Sequence, residues 1–175
     1  MLRGNSTRMN EQVNVDGLIK ELSDRTAIYF KNKGIDNPLI VGIHTGGVWV
    51  ASQIHQALKL DSPLAQLDIS FYRDDFTQIG INPQVKPSHL PFEIDDQHIL
   101  LVDDVLFTGR TIRAALNELF DYGRAASITL AVLIDRDGRE LPIQADLVGK
   151  HMSLAPGQHI KLQGPESLTL VLAEQ

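Results

Sequence analysis

The chain contains no cysteine among its 175 residues, which excludes disulfide frameworks, thiolate zinc sites, iron–sulfur clusters and cysteine nucleophiles. No apolar run approaches the ~18 residues that a membrane-spanning helix needs, and the first ten residues lack the apolar core of a signal peptide. Basic residues number 16 against 22 acidic ones, so the formal net charge is −6. That charge argues against a nucleic-acid binder that works through a general basic surface. These absences together predict a soluble cytoplasmic domain without membrane contact.

The composition that remains is typical of a globular α/β domain. Hydrophobic residues make up 43% and charged residues 22%, and the length suits one domain with a substantial core. Residues 1–14 are polar and lack periodicity, which predicts a flexible lead-in before a single domain at 15–175. Strand and helix patterns alternate over residues 39–135, which predicts right-handed βαβ units and a mostly parallel sheet flanked by helices.

The hydrophobic periods set the predicted elements. Helices are expected at 16–33, with Asp16 as N-cap, and at 48–58 and 110–122. The third helix is expected to bury Ile112, Ala115, Leu116, Leu119 and Phe120. Strands are expected at 39–43, 64–72, 98–103, 127–135, 145–148, 158–162 and 168–172. Residues 73–93 have no clear period, which favours a functional or mobile loop.

The stretch from residue 98 to residue 111 carries the chemistry. Ligands of open α/β sheets bind beyond the carboxyl ends of the strands, and this stretch runs from a strand through two acids into a helix. Residues 108–111 read Thr-Gly-Arg-Thr at the helix N-terminus, where unpaired N–H groups and the helix dipole favour a phosphate. Asp103 and Asp104, placed at the strand tip, can accept hydrogen bonds from sugar hydroxyls or hold a magnesium-bound sugar. The pattern fits a ribose 5-phosphate, whereas GxxxxGK[ST] and GxGxxG are both absent.

Four apolar residues, two acids and then T-G-x-T resemble the phosphoribosyl-pyrophosphate (PRPP) binding motif of type I phosphoribosyltransferases. Segments 69–75, 102–111 and 131–143 further resemble the PyrR family, which pairs uracil phosphoribosyltransferase activity with regulation of pyrimidine genes. The resemblance covers about residues 15–172. It implies a type I phosphoribosyltransferase fold with a small hood region. The implied reaction converts uracil and PRPP to UMP and pyrophosphate with Mg²⁺, in a homodimer or homotetramer.

The resemblance also implies roles for individual residues. Asp103 and Asp104 would hold the ribose hydroxyls and, through PRPP, the Mg²⁺, while Arg73 would be the catalytic cation that meets the pyrophosphate. The PRPP- and UMP-binding set would be Thr45, Gly46, Gly47, Asp103, Asp104, Val105, Leu106, Phe107, Thr108, Gly109, Arg110 and Thr111. The base-binding set would be Ile134, Asp135, Arg136 and Met152.

Two of these assignments have structural alternatives. Arg73 could form a surface ion pair with Asp74 or Asp75, and Arg136 could pair with Asp137 or Glu140. Purine phosphoribosyltransferases of this type carry an aspartate facing the base where this chain has Phe107, which disfavours a 6-oxopurine substrate.

Departures from the PyrR pattern leave other functions open. Many members carry arginine where this chain has Gly46, so one cationic pyrophosphate contact is missing. Gln144 replaces another arginine, although Arg139 and Lys150 remain, and a chain at −6 is a poor RNA binder. RNA attenuation is therefore expected to be weakened or lost. The alternatives are a UMP- or UTP-sensing, RNA-binding regulator with little catalysis, or a phosphoribosyltransferase for another base.

Overall fold

The computed structural model describes residues 13–69 and 88–174. Three helices lie in this part of the chain: α1 (Val15–Asn32), α2 (Gly46–Leu58) and α3 (Arg110–Tyr122). The strands are β1 (Leu39–Ile43), β2 (Ala65–Leu67), β3 (His98–Leu106), β4 (Ser127–Arg136), β5 (Leu147–Met152), β6 (Gln158–Gln163) and β7 (Thr169–Glu174). None of the described helices is both long enough and apolar enough to cross a membrane.

The strands form the predicted parallel sheet. Five strands pair in the order β2-β1-β3-β4-β5, all parallel, and β6 and β7 form a separate antiparallel pair that fits the expected hood. Pairing between β1 and β3 ends at Gly42 and Val102, whereas β3 and β4 stay paired to Leu106 and Asp135. The ends of β3 and β4 therefore project beyond β1 and form a ledge, on which the candidate site lies.

A hydrophobic layer on each side holds the sheet between its helices. One layer joins α1 and α2 to the sheet through residues such as Leu22 and Ile54, and the other joins α3 through Ile112 and Leu119. The run from Ile99 to Val102 is buried on both faces, as a central parallel strand requires. Each fully buried aliphatic side chain of this kind contributes roughly 1.5–3 kcal/mol.

Three predicted boundaries were wrong. The N-cap of α1 is Asn14, two residues before Asp16, and its Oδ1 accepts a hydrogen bond of 3.0 Å from the Gly17 amide. The second helix begins at Gly46 rather than at residue 48, so Gly46 and Gly47 lie in the helix and not in the loop before it. The strand predicted at 98–103 continues to Leu106 because pairing with β4 persists, so Asp103 and Asp104 lie within β3.

The later strands also begin and end beyond their predicted limits. The strand predicted at 145–148 runs from Leu147 to Met152, and the last two extend to Gln163 and Glu174. The strand predicted at 64–72 is observed as Ala65–Leu67, while residues 70–72 lie outside the described part. Arg73 and residues 1–12 also lie outside it.

The prediction that Phe120 is buried was also wrong. Ile112, Ala115 and Leu119 are buried, but Phe120 is 59% exposed. At 100° per residue, Phe120 lies about 80° around the helix from Ile112, at the margin of the apolar stripe. The helix therefore presents this ring to solvent.

Candidate active site

The acid pair lies in the projecting end of β3, where the backbone orients both carboxylates. Asp103 is only 5% exposed, and its Oδ1 accepts a hydrogen bond of 2.9 Å from the Asp104 amide. Oδ1 of Asp104 accepts a bond of the same length from the Val105 amide. These bonds limit the rotation of both side chains, so the carboxylates are preorganised at the edge of the ledge.

The start of α2 packs directly against this pair, and only glycine permits the approach. A Cβ atom on Gly46 would lie 2.3 Å from Oδ2 of Asp104, and one on Gly47 would lie 2.7 Å from the carbonyl oxygen of Val102. Both distances are shorter than any ordinary contact. The predicted pyrophosphate loop and the predicted ribose-binding acids therefore meet in one place. Here an arginine at position 46 would require Asp104 to move.

His44 anchors the other end of this loop. Its backbone N–H donates to the carbonyl of Leu67, and its Nε2 lies 2.7 Å from Oε1 of Gln66. The peptide bond from His44 to Thr45 is cis. The two contacts of His44 hold the first residue of the loop against β2. The glycines at the end of the loop pack against the acid pair.

Residues 108–111, the predicted phosphate-binding turn, lie at the N-terminus of α3 and are called the cradle below. Gly109 is the N-cap residue at φ 95°, a conformation that favours glycine, and it has no side chain with which to cap the first turn. The first turn of α3 carries no acidic residue, and Oγ1 of Thr108 accepts a hydrogen bond of 3.2 Å from the Arg110 amide. The remaining amides and the positive end of the helix dipole can receive an anion here.

A segment between β4 and β5 supports the cradle from outside, and no pattern in the sequence predicted this contact. The amides of Glu140 and Leu141 donate to the carbonyl oxygen of Thr108 at 3.0 and 3.1 Å. Glu140 also pairs with Arg110 at 2.9 Å, although both side chains are largely exposed. A Cβ atom on Gly109 would lie 3.3 Å from Ile143, so this segment is in close contact with the turn.

Phe107 and Arg136 form a stacked pair beside the cradle. The Arg136 guanidinium carbon lies 3.9 Å from the centroid of the Phe107 ring, which is 39% exposed. Nη1 of Arg136 donates to the Gln158 carbonyl at 3.3 Å, while its buried Nε has no hydrogen-bond partner among the described residues. Gly138 makes room for the ring, because a Cβ there would lie 2.4 Å from it. Within the described part of the chain, Arg136 forms neither of the ion pairs that were its structural alternatives.

The remaining predicted base-binding residues lie together at the ends of β4 and β5. Asp135 is opposite His151 in the sheet register, and Arg136 is opposite Met152. Oδ1 of Asp135 accepts from Arg139 at 2.6 Å, and its Oδ2 lies 3.4 Å from Nδ1 of His151. Ile134 is fully buried, so neither its side chain nor its backbone is exposed at this end of the sheet.

Comparison with known proteins identifies the family. The phosphoribosyl transferase domain family matches residues 10–161. The chain is 55% identical over 158 residues to the bifunctional protein PyrR of Nitrosococcus oceani, covering 89% of each chain. It is also 55% identical to the protein of that name from Pseudomonas syringae pv. tomato, over 90% of this chain and 92% of the relative. The chain belongs to the PyrR family of phosphoribosyltransferases.

Solved structures agree with this PyrR-family fold. A hypoxanthine phosphoribosyltransferase from Trypanosoma cruzi superposes with a TM-score of 0.62 at 26% identity, covering 81% of this chain and 75% of that chain. A mutant of the enzyme from that organism, in a ternary substrate complex, gives a TM-score of 0.60 at 29% identity over 79% of this chain and 77% of that one. The predicted family and the predicted type I fold are thus confirmed. These structural relatives are named for a purine base, and their similarity shows the fold of the PyrR-family chain but not the base that it uses.

Proposed function

We propose that this chain is a uracil phosphoribosyltransferase, which transfers ribose 5-phosphate from PRPP to uracil and releases UMP and pyrophosphate. The observation that carries the proposal is the meeting of three elements on one ledge. These are the acid pair of β3, the glycine loop at 45–47 and the N-terminus of α3. Relatives at 55% identity that are named bifunctional PyrR support the same assignment.

PRPP is placed with its 5-phosphate on the amides of residues 108–111 and its ribose hydroxyls against Asp103 and Asp104. Its pyrophosphate then lies over the loop at 45–47, whose backbone N–H groups can receive an anion. Arg73, outside the described residues, supplies a cation to the pyrophosphate in this proposal. The bond between ribose C1 and the pyrophosphate oxygen breaks while N1 of uracil bonds to C1, and the N1 proton passes to the departing pyrophosphate or to water. The protein orients both reactants and stabilises the departing charge rather than supplying a nucleophile.

Magnesium fits this arrangement as a companion of the substrate. The described residues contain no cluster of three or more ligating side chains, but two oriented carboxylates lie where the ribose and pyrophosphate meet. Mg²⁺ commonly binds through one or two carboxylates together with substrate phosphates and water. Asp103 and Asp104 would hold it through PRPP, and the bound ion would neutralise charge on the leaving pyrophosphate.

The base is proposed to be a pyrimidine that lies beside Phe107. The Phe107 ring offers an apolar face and has no group that could exchange a proton with a purine. The partly exposed guanidinium of Arg136 carries N–H donors suited to a base carbonyl, and uracil offers two such carbonyl acceptors. Ile134, Asp135 and Met152 belong to the same end of the sheet.

The decisive assay measures nucleotide formation from PRPP and Mg²⁺ with uracil, guanine and orotate side by side. We expect turnover with uracil alone and a loss of about 100-fold or more in the Asp103→Asn/Asp104→Asn double variant. Arg124→Met, which removes an exposed charge just beyond the far end of α3, serves as the matched control and should leave the rate unchanged. Turnover with guanine or orotate, but not uracil, would contradict the proposal.

A nucleotide sensor is the second candidate, and Gly46 favours it. Many relatives have a cation at this position, and its loss weakens the expected hold on pyrophosphate. A sensor would bind UMP or UTP, measured by calorimetry, and show no turnover with any base. In the enzyme proposed first, regulation through RNA attenuation is proposed to be weakened or lost, whereas the sensor would act as an RNA-binding regulator. The chain is acidic, position 144 is glutamine, and Arg139 is engaged inside the protein.

RNA binding has its own test. A gel shift with the chain's own pyrimidine leader RNA should show no UMP-dependent complex at sub-micromolar protein. A tight, UMP-dependent complex would contradict the proposed loss of RNA attenuation. The homodimer or homotetramer expected from the resemblance is measured on the same preparation by light scattering.

A further inference from the structure

Arg139 connects three parts of the site through a single side chain. Its Nε donates to the Ile143 carbonyl at 2.7 Å, and its Nη2 pairs with Oδ1 of Asp135 at 2.6 Å. Its Nη1 donates to the carbonyl oxygen of Phe107. The guanidinium thus joins the end of β4, the loop after β3 and the segment that supports the cradle. The side chain is only 25% exposed, so the contacts to Ile143 and Asp135 are partly shielded from water, whereas the contact to Phe107 lies at the surface.

The Phe107 carbonyl belongs to the peptide unit that leads into the cradle. The next carbonyl, that of Thr108, accepts bonds from Glu140 and Leu141, which directly follow Arg139. Gly109 then turns the chain at φ 95° without a side-chain cap. The orientation of the cradle amides is therefore set by groups outside the loop, and Arg139 makes the contact nearest the strand.

An arginine suits this task for a geometric reason. Its guanidinium is planar, always charged, and holds its donors in a rigid fork, so three acceptors at fixed angles can be satisfied together. Lysine carries a point charge on a flexible stem and cannot reproduce the fork. Hydrogen bonds to charged groups contribute to stability more than neutral ones do, which makes the loss of this fork measurable.

We propose that Arg139 is a positioning residue, which fixes the peptide between Phe107 and Thr108 so that the cradle amides face the 5-phosphate of the substrate. Through Asp135 the same side chain joins the base end of the site to the cradle. The inference rests on the proposed function only for the placement of the 5-phosphate, and it holds for any base. Three of the five N–H donors of this guanidinium are used by the protein itself.

Calorimetry with three ligands in Mg²⁺ buffer tests the role directly. In Arg139→Met, we expect the affinities for PRPP and for ribose 5-phosphate to fall by roughly tenfold or more, because the cradle loses its support. The affinity for pyrophosphate, which is placed on the loop at 45–47, should stay within about twofold of the wild type. Arg124→Met should bind all three ligands like the wild type. A general loss of structure would instead weaken pyrophosphate binding as well.

Arg139→Lys separates charge from geometry and provides a second test if the methionine variant does not fold. Lysine keeps a positive charge next to Asp135 but cannot donate to all three acceptors at once. We therefore expect ribose 5-phosphate to bind at least about threefold more weakly to this variant than to the wild type. Full affinity in the lysine variant, unchanged PRPP affinity in Arg139→Met, or an equal loss for pyrophosphate would each overturn the proposal. None of the three ligands contains a base, so the results do not depend on which base the protein uses. A wild type that binds PRPP but makes no UMP would refute the uracil assignment alone.

Discussion

The contact between Gly46 and Asp104 provides a prediction in which two physical effects have opposite signs. Alanine is the better helix former, so in open space Gly46→Ala at the first residue of α2 would stabilise the protein by up to about 1 kcal/mol. In this structure the added Cβ would lie 2.3 Å from Oδ2 and 2.7 Å from Cγ of Asp104. Ordinary carbon contacts lie near 3.5–4.0 Å, so about 1 Å of movement is required.

That movement should outweigh the helix propensity. Asp104 is held by its bond from the Val105 amide, and displacing it breaks this bond as well as repacking the ledge. Overpacking of this kind costs about 1–3 kcal/mol. We therefore expect Gly46→Ala to lower the free energy of unfolding by that amount in urea titrations followed by circular dichroism, and to weaken PRPP binding in calorimetry.

A double-mutant cycle isolates the contact. In an Asp104→Ala background the carboxylate is gone and only the Cβ of residue 104 remains close, at 3.0 Å, so Gly46→Ala should cost clearly less there than in the wild type. Equal costs in both backgrounds, or a stabilising effect in the wild type, would refute the reasoning. Removing Asp104 should itself weaken PRPP binding if the proposed site is right, so the free energy of unfolding is the deciding measurement for this cycle.

Four further substitutions follow from the described contacts. Gly138→Ala introduces a Cβ 2.4 Å from the Phe107 ring at φ 117°, so kcat/KM for uracil should fall at least about tenfold while PRPP affinity changes little. Asn14→Ala removes the side-chain cap of α1 and should lower the free energy of unfolding by about 1 kcal/mol in urea. Leu101→Ala empties a fully buried site and should cost about 2–5 kcal/mol in the same assay, whereas Phe120→Ala at an exposed site should cost less than about 0.5 kcal/mol.

The sheet could be predicted from the sequence because its strands are buried on both faces. A run such as Ile99 to Val102 has no polar interruption, and its alternation with helical periods leaves few topologies. The boundaries were harder to predict, because they depend on tertiary contacts. Asp104 looks like the first residue of a turn in isolation, yet pairing with β4 carries the strand on to Leu106.

The site could be predicted where a single segment holds the chemistry, and it could not where distant segments meet. Residues 103–111 form one continuous pattern, so the acid pair and the cradle were found together. The support from Arg139 depends on a contact across 32 positions to Phe107, and no local pattern predicts it. Likewise, the sequence alone shows only that position 46 lacks the positive charge expected there. The structure shows that Gly46 lies so close to Asp104 that a side chain would not fit without movement.

The arginines near the ledge are already engaged in contacts with the protein itself. In the proposed reaction PRPP would bring several negative charges to two carboxylates, so the site would need positive charge. Backbone N–H groups and a helix dipole supply only partial charges. The described arginines that lie nearby have these partners: Arg110 pairs with Glu140, Arg139 pairs with Asp135, and Arg136 stacks on Phe107.

Charge balance in the proposed reaction therefore falls to two other sources. One is the Mg²⁺ carried by the substrate, and the other is the segment at 70–87, where the sequence places Arg73 and Lys86. With Gly46 at a position where the PyrR resemblance implies a cation, those two sources would carry most of the leaving-group charge in the proposed reaction.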